Sequence, residues 1–153
     1  MGSDGRFDMG MIEEVAAWLV TQSCGTAGTS LFAGVLPDST GLAAGIIERA
    51  GGPPSRTYQT DLPWAEDARI RVLVRSTQPS SGATLPVPTN ARERAQKIWR
   101  ALDGVTNSTS IAAGKMYLRI EALQSPWLER HDEKGRVVYA CDYAVTRVPT
   151  TSD

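Results

Sequence analysis

The sequence predicts an α+β fold: a small mixed or antiparallel sheet of about five strands packed by two helices. Three observations carry this. Apolar residues recur at helical spacing over 8–22 and again over 91–103. Strict alternation marks "ARIRVLVRS" and "GRVVYACDYAVTRV". Gly-, Pro- and Ser-rich breakers separate these runs. The chain has 153 residues, which suits a single domain, 1–153, with an ordered core over about 10–147.

The elements follow in order. In the first helix Met11, Val15, Trp18 and Leu19 share one face. Asp8 is placed to cap it, and Glu13 and Glu14 sit near the positive end of its dipole. "CGTAGTS" ends it. Two short apolar runs, 30–36 and 42–49, flank the turn "PDSTG" and read as a hairpin. "GGPP" then forces a loop. In the third strand Ile70, Val72 and Val74 point one way, and Arg69, Arg71, Leu73 and Arg75 the other. A long Pro/Ser/Gly loop follows. Asn90 is then the expected cap of a helix that turns Ala91, Ala95, Ile98, Trp99 and Leu102 inward, with Gly104 as its stop. In "KMYLRIEALQ", Leu118, Ile120 and Ala122 form one face, and Tyr117, Arg119 and Glu121 the other. The last strand alternates from Val137 to Val145. Helices on one side of such a sheet leave the arginine side free.

Composition is that of an ordinary globular chain, 41% hydrophobic and 22% charged. With a net charge of −1, no global field draws it to nucleic acid or membrane. No apolar stretch reaches the roughly 18 residues of a membrane span, and "MGSDGRFDMG" has no apolar core of a secretory signal. The polar N-terminal ten residues and the C-terminal "VPTTSD" read as frayed arms. Cys24 and Cys141 are far apart and outside any CxxC, so they read as reduced, intracellular thiols. Cys141 lies in an apolar run and is expected to be buried.

Phosphate-loop and nucleophile-elbow patterns are missing from the glycine-rich stretches. The single histidine, His131, stands in "ERHDEKGRVV" beside Asp132 and Glu133. One His and two scattered Cys do not make a zinc site, and the carboxylates do not match a calcium loop. A hairpin tip explains the stretch better. It divides the apolar run 117–128 from 137–145, Asp132 can bond its own turn, and Gly135 can take positive φ. The arginine row Arg69, Arg71 and Arg75 reads either as a solvated face or as an interface that pairs with carboxylates of a neighbouring subunit or faces passing DNA. Because the net charge is slightly negative, acidic patches must exist elsewhere, and opposite patches allow head-to-tail pairing.

Taken together, "SLFAGVLPDSTG", "GIIERAGGPP", "DLPWAEDARIRVLVR", "NARERAQKIWRALDG" and "LRIEALQSPWLERHDEKGRVVYACDYAV" resemble the minor capsid or tail terminator proteins of long-tailed bacteriophages and prophages. The resemblance covers about residues 10–147. It departs from the usual pattern at "LPWAEDARI", where a simple Gln or Arg often precedes the third strand. It implies a virion structural protein, made in the host cytoplasm and placed at the head–tail junction. There it would form a homo-oligomeric ring, commonly a hexamer, on the head-proximal end of the tail tube. The implied partners are itself, the tail tube protein and a neck or connector protein of the head, with DNA passing through the lumen without sequence specificity. No catalysis, metal, cofactor or membrane is implied. On this reading Arg69, Arg71 and Arg75 line a subunit contact or the lumen, and Asp132, Glu133 and Arg136 meet the tube or neck. Loops 51–60 and 79–88 are expected to order on assembly. Two alternatives stand beside it: another head–tail joining protein, either neck adaptor or head closure, and a small metal-dependent hydrolase using the "ERHDE" carboxylates.

Overall fold

The computed structural model of the chain describes residues 10–38, 41–49, 66–77, 89–106, 111 and 116–148. Loops 51–60 and 79–88, Asp8 and both chain ends lie outside the described residues.

Helix α1 spans Met11–Thr21 and buries Met11, Glu14, Val15 and Leu19. Its N-cap is Gly10, with no side-chain cap, so it starts later than the expected residue 8. It closes through Cys24 N–H donating to the Leu19 carbonyl at 3.0 Å, with Ser23 in the left-handed region at φ 63°. Helix α2 spans Thr89–Leu102 and buries the expected stripe of Ala91, Ala95, Ile98 and Leu102. Asn90 lies inside this helix rather than before it. Its amide donates to Thr77 Oγ1 at 3.2 Å, so the side chain serves the loop and not the cap. None of the helices among the described residues is long and apolar enough to cross a membrane.

One mixed sheet holds seven strands: β1 Leu31–Ala33, β2 Ala43–Arg49, β3 Glu66–Arg75, β4 Val105–Thr106, β5 Met116–Ala122, β6 Trp127–His131 and β7 Val137–Val148. Their order is β1-β2-β3-β7-β5-β4, with β6 also on β7. Strand β7 is the spine. One edge pairs with β3 from Val138 to Arg147. The other edge is shared, β6 taking Val137–Ala140 and β5 taking Tyr143–Val148. The apolar run 117–128 thus reaches into two strands, divided opposite Cys141 and Asp142. Together with the two-residue β4, this accounts for seven strands where about five were expected.

The expected hairpin of 30–36 with 42–49 is not formed. Strands β1 and β2 are parallel, Leu31 opposite Ala44 and Ala33 opposite Ile46. Gly34, at φ 84°, turns the chain out of β1. The segment Val35–Leu36 then crosses over β2 at Gly45. A Cβ on Gly45 would stand 2.5 Å from the Val35 carbonyl oxygen and 3.1 Å from Leu36 Cβ. Only glycine lets the crossing lie this close.

Both helices cover one face of the sheet. There Val15, Leu19, Ala95, Ile98 and Leu102 pack on Ile46, Ile70, Val72, Val74, Ile120 and Tyr143. Leu19, Ile46, Ile70, Ile98, Leu102 and Ile120 are fully buried. Each contributes about 1.5–3 kcal/mol by leaving water, and this holds the helices down. A bulge between Tyr117 and Arg119 changes the expected facing of β5, so that Tyr117 and Ile120 both point into this core.

Candidate interaction surface

The other face, here called the outer face, carries the arginine row and is built row by row. Gly45, Leu73 and Ala140 lie side by side. Leu36, Ile47, Val138 and Trp127 pack with Leu73 and Ala140 into a second, small apolar cluster. One step along, Ile47, Arg71 and Asp142 are in register. One step further come Arg49, Arg69, Ala144 and Glu121. The small side chain of Ala144 leaves a concavity of about 180 Å³, walled by Arg69, Arg119, Asp67, Glu121 and Thr146.

The structure separates the three predicted arginines. Arg71 is engaged inside the subunit. Its Nε and Nη2 hold both Asp142 oxygens at 2.7 and 3.1 Å, and its Nη1 meets Glu129 at 3.1 Å. The guanidinium also sits 5.3 Å from the centroid of the Trp127 ring. The Asp142 hydrogen bonds hold the Arg71 pKa above its ordinary value. Arg75 is buried at 5% exposure and donates to the Pro37 carbonyl at 2.6 Å. Desolvation, with Arg136 nearby, lowers its pKa. The expectation of a free arginine face is therefore corrected for these two. A register pairing and a crossing segment take up groups that alternation alone had turned to solvent. Arg69 is exposed and has no ion-pair partner among the described residues.

The second predicted group divides in the same way. Residues 132–136 form the turn between β6 and β7, with His131 opposite Val137. Asp132 Oδ1 accepts from the N–H groups of Lys134 and Arg136, both at 2.9 Å, and Gly135 takes φ 79°. Arg136 is buried at 5% exposure, not displayed at the tip. Its Nε reaches Asp132 at 2.7 Å and its Nη2 reaches Asp38 at 2.8 Å. Lys134 meets the other oxygen of Asp38 at 2.7 Å. Hydrogen bonds from Lys134 and Arg136 pull the Asp38 carboxyl down to about 2. For Asp132 burial pushes upward, but the donors of Arg136 and Lys134 outweigh it and its pKa falls. Glu129 pairs with both Arg71 and Arg130. Glu133 is exposed and has no partner among the described residues. His131 is exposed at the end of β6. Among the described residues, no three His, Cys, Asp or Glu side chains converge as metal ligands.

Sequence reasoning missed a buried polar cluster on the helix side. Glu14 is 3% exposed, and its Oε1 accepts from Tyr117 Oη at 2.5 Å and Arg147 Nη1 at 2.9 Å. Burial and the neighbouring carboxylate push the Tyr117 pKa far up, so the phenol stays a donor. The signal was available. Glu14 lies beside Val15 on the inward stripe of α1, and Arg147 continues the core parity of Tyr143 and Val145. Cys24 and Cys141 are free and buried, and burial raises both thiol pKa values.

The chain matches no protein-family model and no curated protein.

Proposed function

We propose that this chain is a ring-forming subunit that closes the head-proximal end of a phage tail tube and presents the surface on which the head's neck docks. The ordered set of motifs across residues 10–147, from "LPDSTG" through "DARIRVLVR" to "DEKGRVV", carries this reading. A single sheet with helices on one face and charged side chains on the other supports it, since such a subunit leaves one sheet face uncovered by helices for contact with neighbours. The carboxylates of "ERHDE" support a structural role over hydrolysis. Glu129 is held by two arginines, and Asp132 by its own turn and Arg136. The experiment is electron microscopy of lysates from a phage or prophage in which this gene is inactivated. Overlong, unfinished tail tubes are the expected result. Normal-length tails detached from heads would instead assign the chain to neck joining, and intact virions would overturn both.

A further inference from the structure

We propose that copies of this chain join head to tail across the outer face, the Glu133 carboxylate of one copy seating on the Arg69 patch of the next. This deepens the ring reading, on which only closure into a ring rests; the contact itself stands on the charges of the subunit.

Most charges at the two ends of the outer face are already paired. At the hairpin tip, Arg136 and Asp132 hold one another, Lys134 holds Asp38, and Arg130 holds Glu129. Among the described residues, what remains there is Glu133, exposed on the turn itself. At the far end of the same face, Arg119 holds Glu121, Thr146 donates to Asp67, and Asp142 is held by Arg71 and Arg49. Among the described residues, what remains there is Arg69. It stands directly opposite Arg49 in the β2–β3 register. Like charges directly opposite destabilise a sheet, and a carboxylate set against them relieves the strain.

Shape agrees with charge. Arg69 walls the concavity that Ala144 leaves open. A turn can reach into that floor, whereas a carboxylate on a flat strand or helix face cannot. Strand β7 connects the two features, with the tip before Val137 and the floor at Ala144. At about 3.3 Å per residue they lie on the order of 25 Å apart. Made once per pair of copies, this contact is heterologous and propagates to a ring or a filament; made twice between the same two copies, it closes a two-fold dimer, and the size of the species in sedimentation separates the two. The patch suits a single carboxylate better than nucleic acid. Asp67 and Glu121 share its walls but are each held by a neighbour, which leaves Arg69 as a single cationic point and not the extended basic track that a run of phosphates needs.

The test is sedimentation velocity of the full chain over a range of protein and salt concentrations. The wild-type chain is expected to self-associate, less so at high salt. Arg69→Glu and Glu133→Arg, both at exposed positions, are each expected to weaken association at least about tenfold, with unchanged circular dichroism. Mixed in equal amounts, the two variants should associate again, because in an alternating array every contact once more joins opposite charges. A wild-type chain that stays monomeric throughout overturns the proposal. So do single variants that assemble normally, or a mixture that fails to recover. If the variants behave as expected but tails form normally without this gene, the contact stands and the tail reading falls.

Discussion

Replacing Arg147 with Met removes the guanidinium from a Glu14 carboxylate that is 3% exposed. The Nη1–Oε1 contact is 2.9 Å, and both side chains are within a tenth of full burial. Breaking such a pair from one side costs about 3–5 kcal/mol, because a desolvated charge loses a directly bonded cation. Domain stabilities are about 5–15 kcal/mol, so this is roughly a fifth or more of the total. At about 2–4 °C per kcal/mol for a chain of this size, the midpoint should fall by roughly 6–20 °C. Urea unfolding followed by tryptophan fluorescence measures the loss. The double variant Glu14→Gln/Arg147→Met is the decisive comparison. The amide carries no charge and still accepts from Tyr117, so at least half of the lost stability should return. A single-variant cost under about 1 kcal/mol, or a double variant as unstable as the sum of its parts, would refute the account of this cluster as a desolvated ion pair.

Three further outcomes are expected. Gly45→Ala puts a methyl 2.5 Å from the Val35 carbonyl and should cost about 1–3 kcal/mol in chemical denaturation; Gly41→Ala, with nothing within 4 Å, should change stability by less than about 0.5 kcal/mol. The lowered Asp38 carboxyl stabilises the tip above its unfolded pKa of roughly 4, and that contribution disappears as pH falls through about 2. An NMR titration of the Lys134 and Arg136 side chains should show it, and Asp38→Asn should abolish it. Both thiols are buried with raised pKa values, so a thiol reagent at pH 8 should modify neither until the chain is denatured.

Period and punctuation made the secondary structure largely legible. The buried stripe of α2, the inward set Ile70, Val72 and Val74, and the turn at Gly135 follow directly from spacing and turn chemistry. What stayed hidden has a common cause. Alternation assigns a residue to a face but not to a neighbour, since a slip by two residues leaves every face unchanged. The Arg71–Asp142 pairing depends on that register, and so the arginine row looked free when two of its members were not. Parallel pairing of β1 with β2 was hidden for a different reason. "PDSTG" is good turn chemistry, but Gly34 and Gly45 together allow a crossing that the turn residues do not announce. The bulge beside Leu118 re-aimed Tyr117 by adding one residue to the count. Of the six residues expected to make contacts, Arg69 and Glu133 are exposed without partners among the described residues. Arg71, Arg75, Asp132 and Arg136 are bound up within the subunit.

Strand β7 has a mechanical consequence. It is bordered along nearly its whole length, by β3 on one side and by β6 and then β5 on the other. Tension applied along it loads those ladders in shear, so many hydrogen bonds share the force and yield together. Force across the ladder at β6 would instead peel bonds one after another. In the proposed assembly, one contact lies just before this strand and the other along it at Ala144, so tension between neighbours would run along the stiffest line of the subunit. A subunit built this way resists stretching along β7, and its edge strands are the first to give.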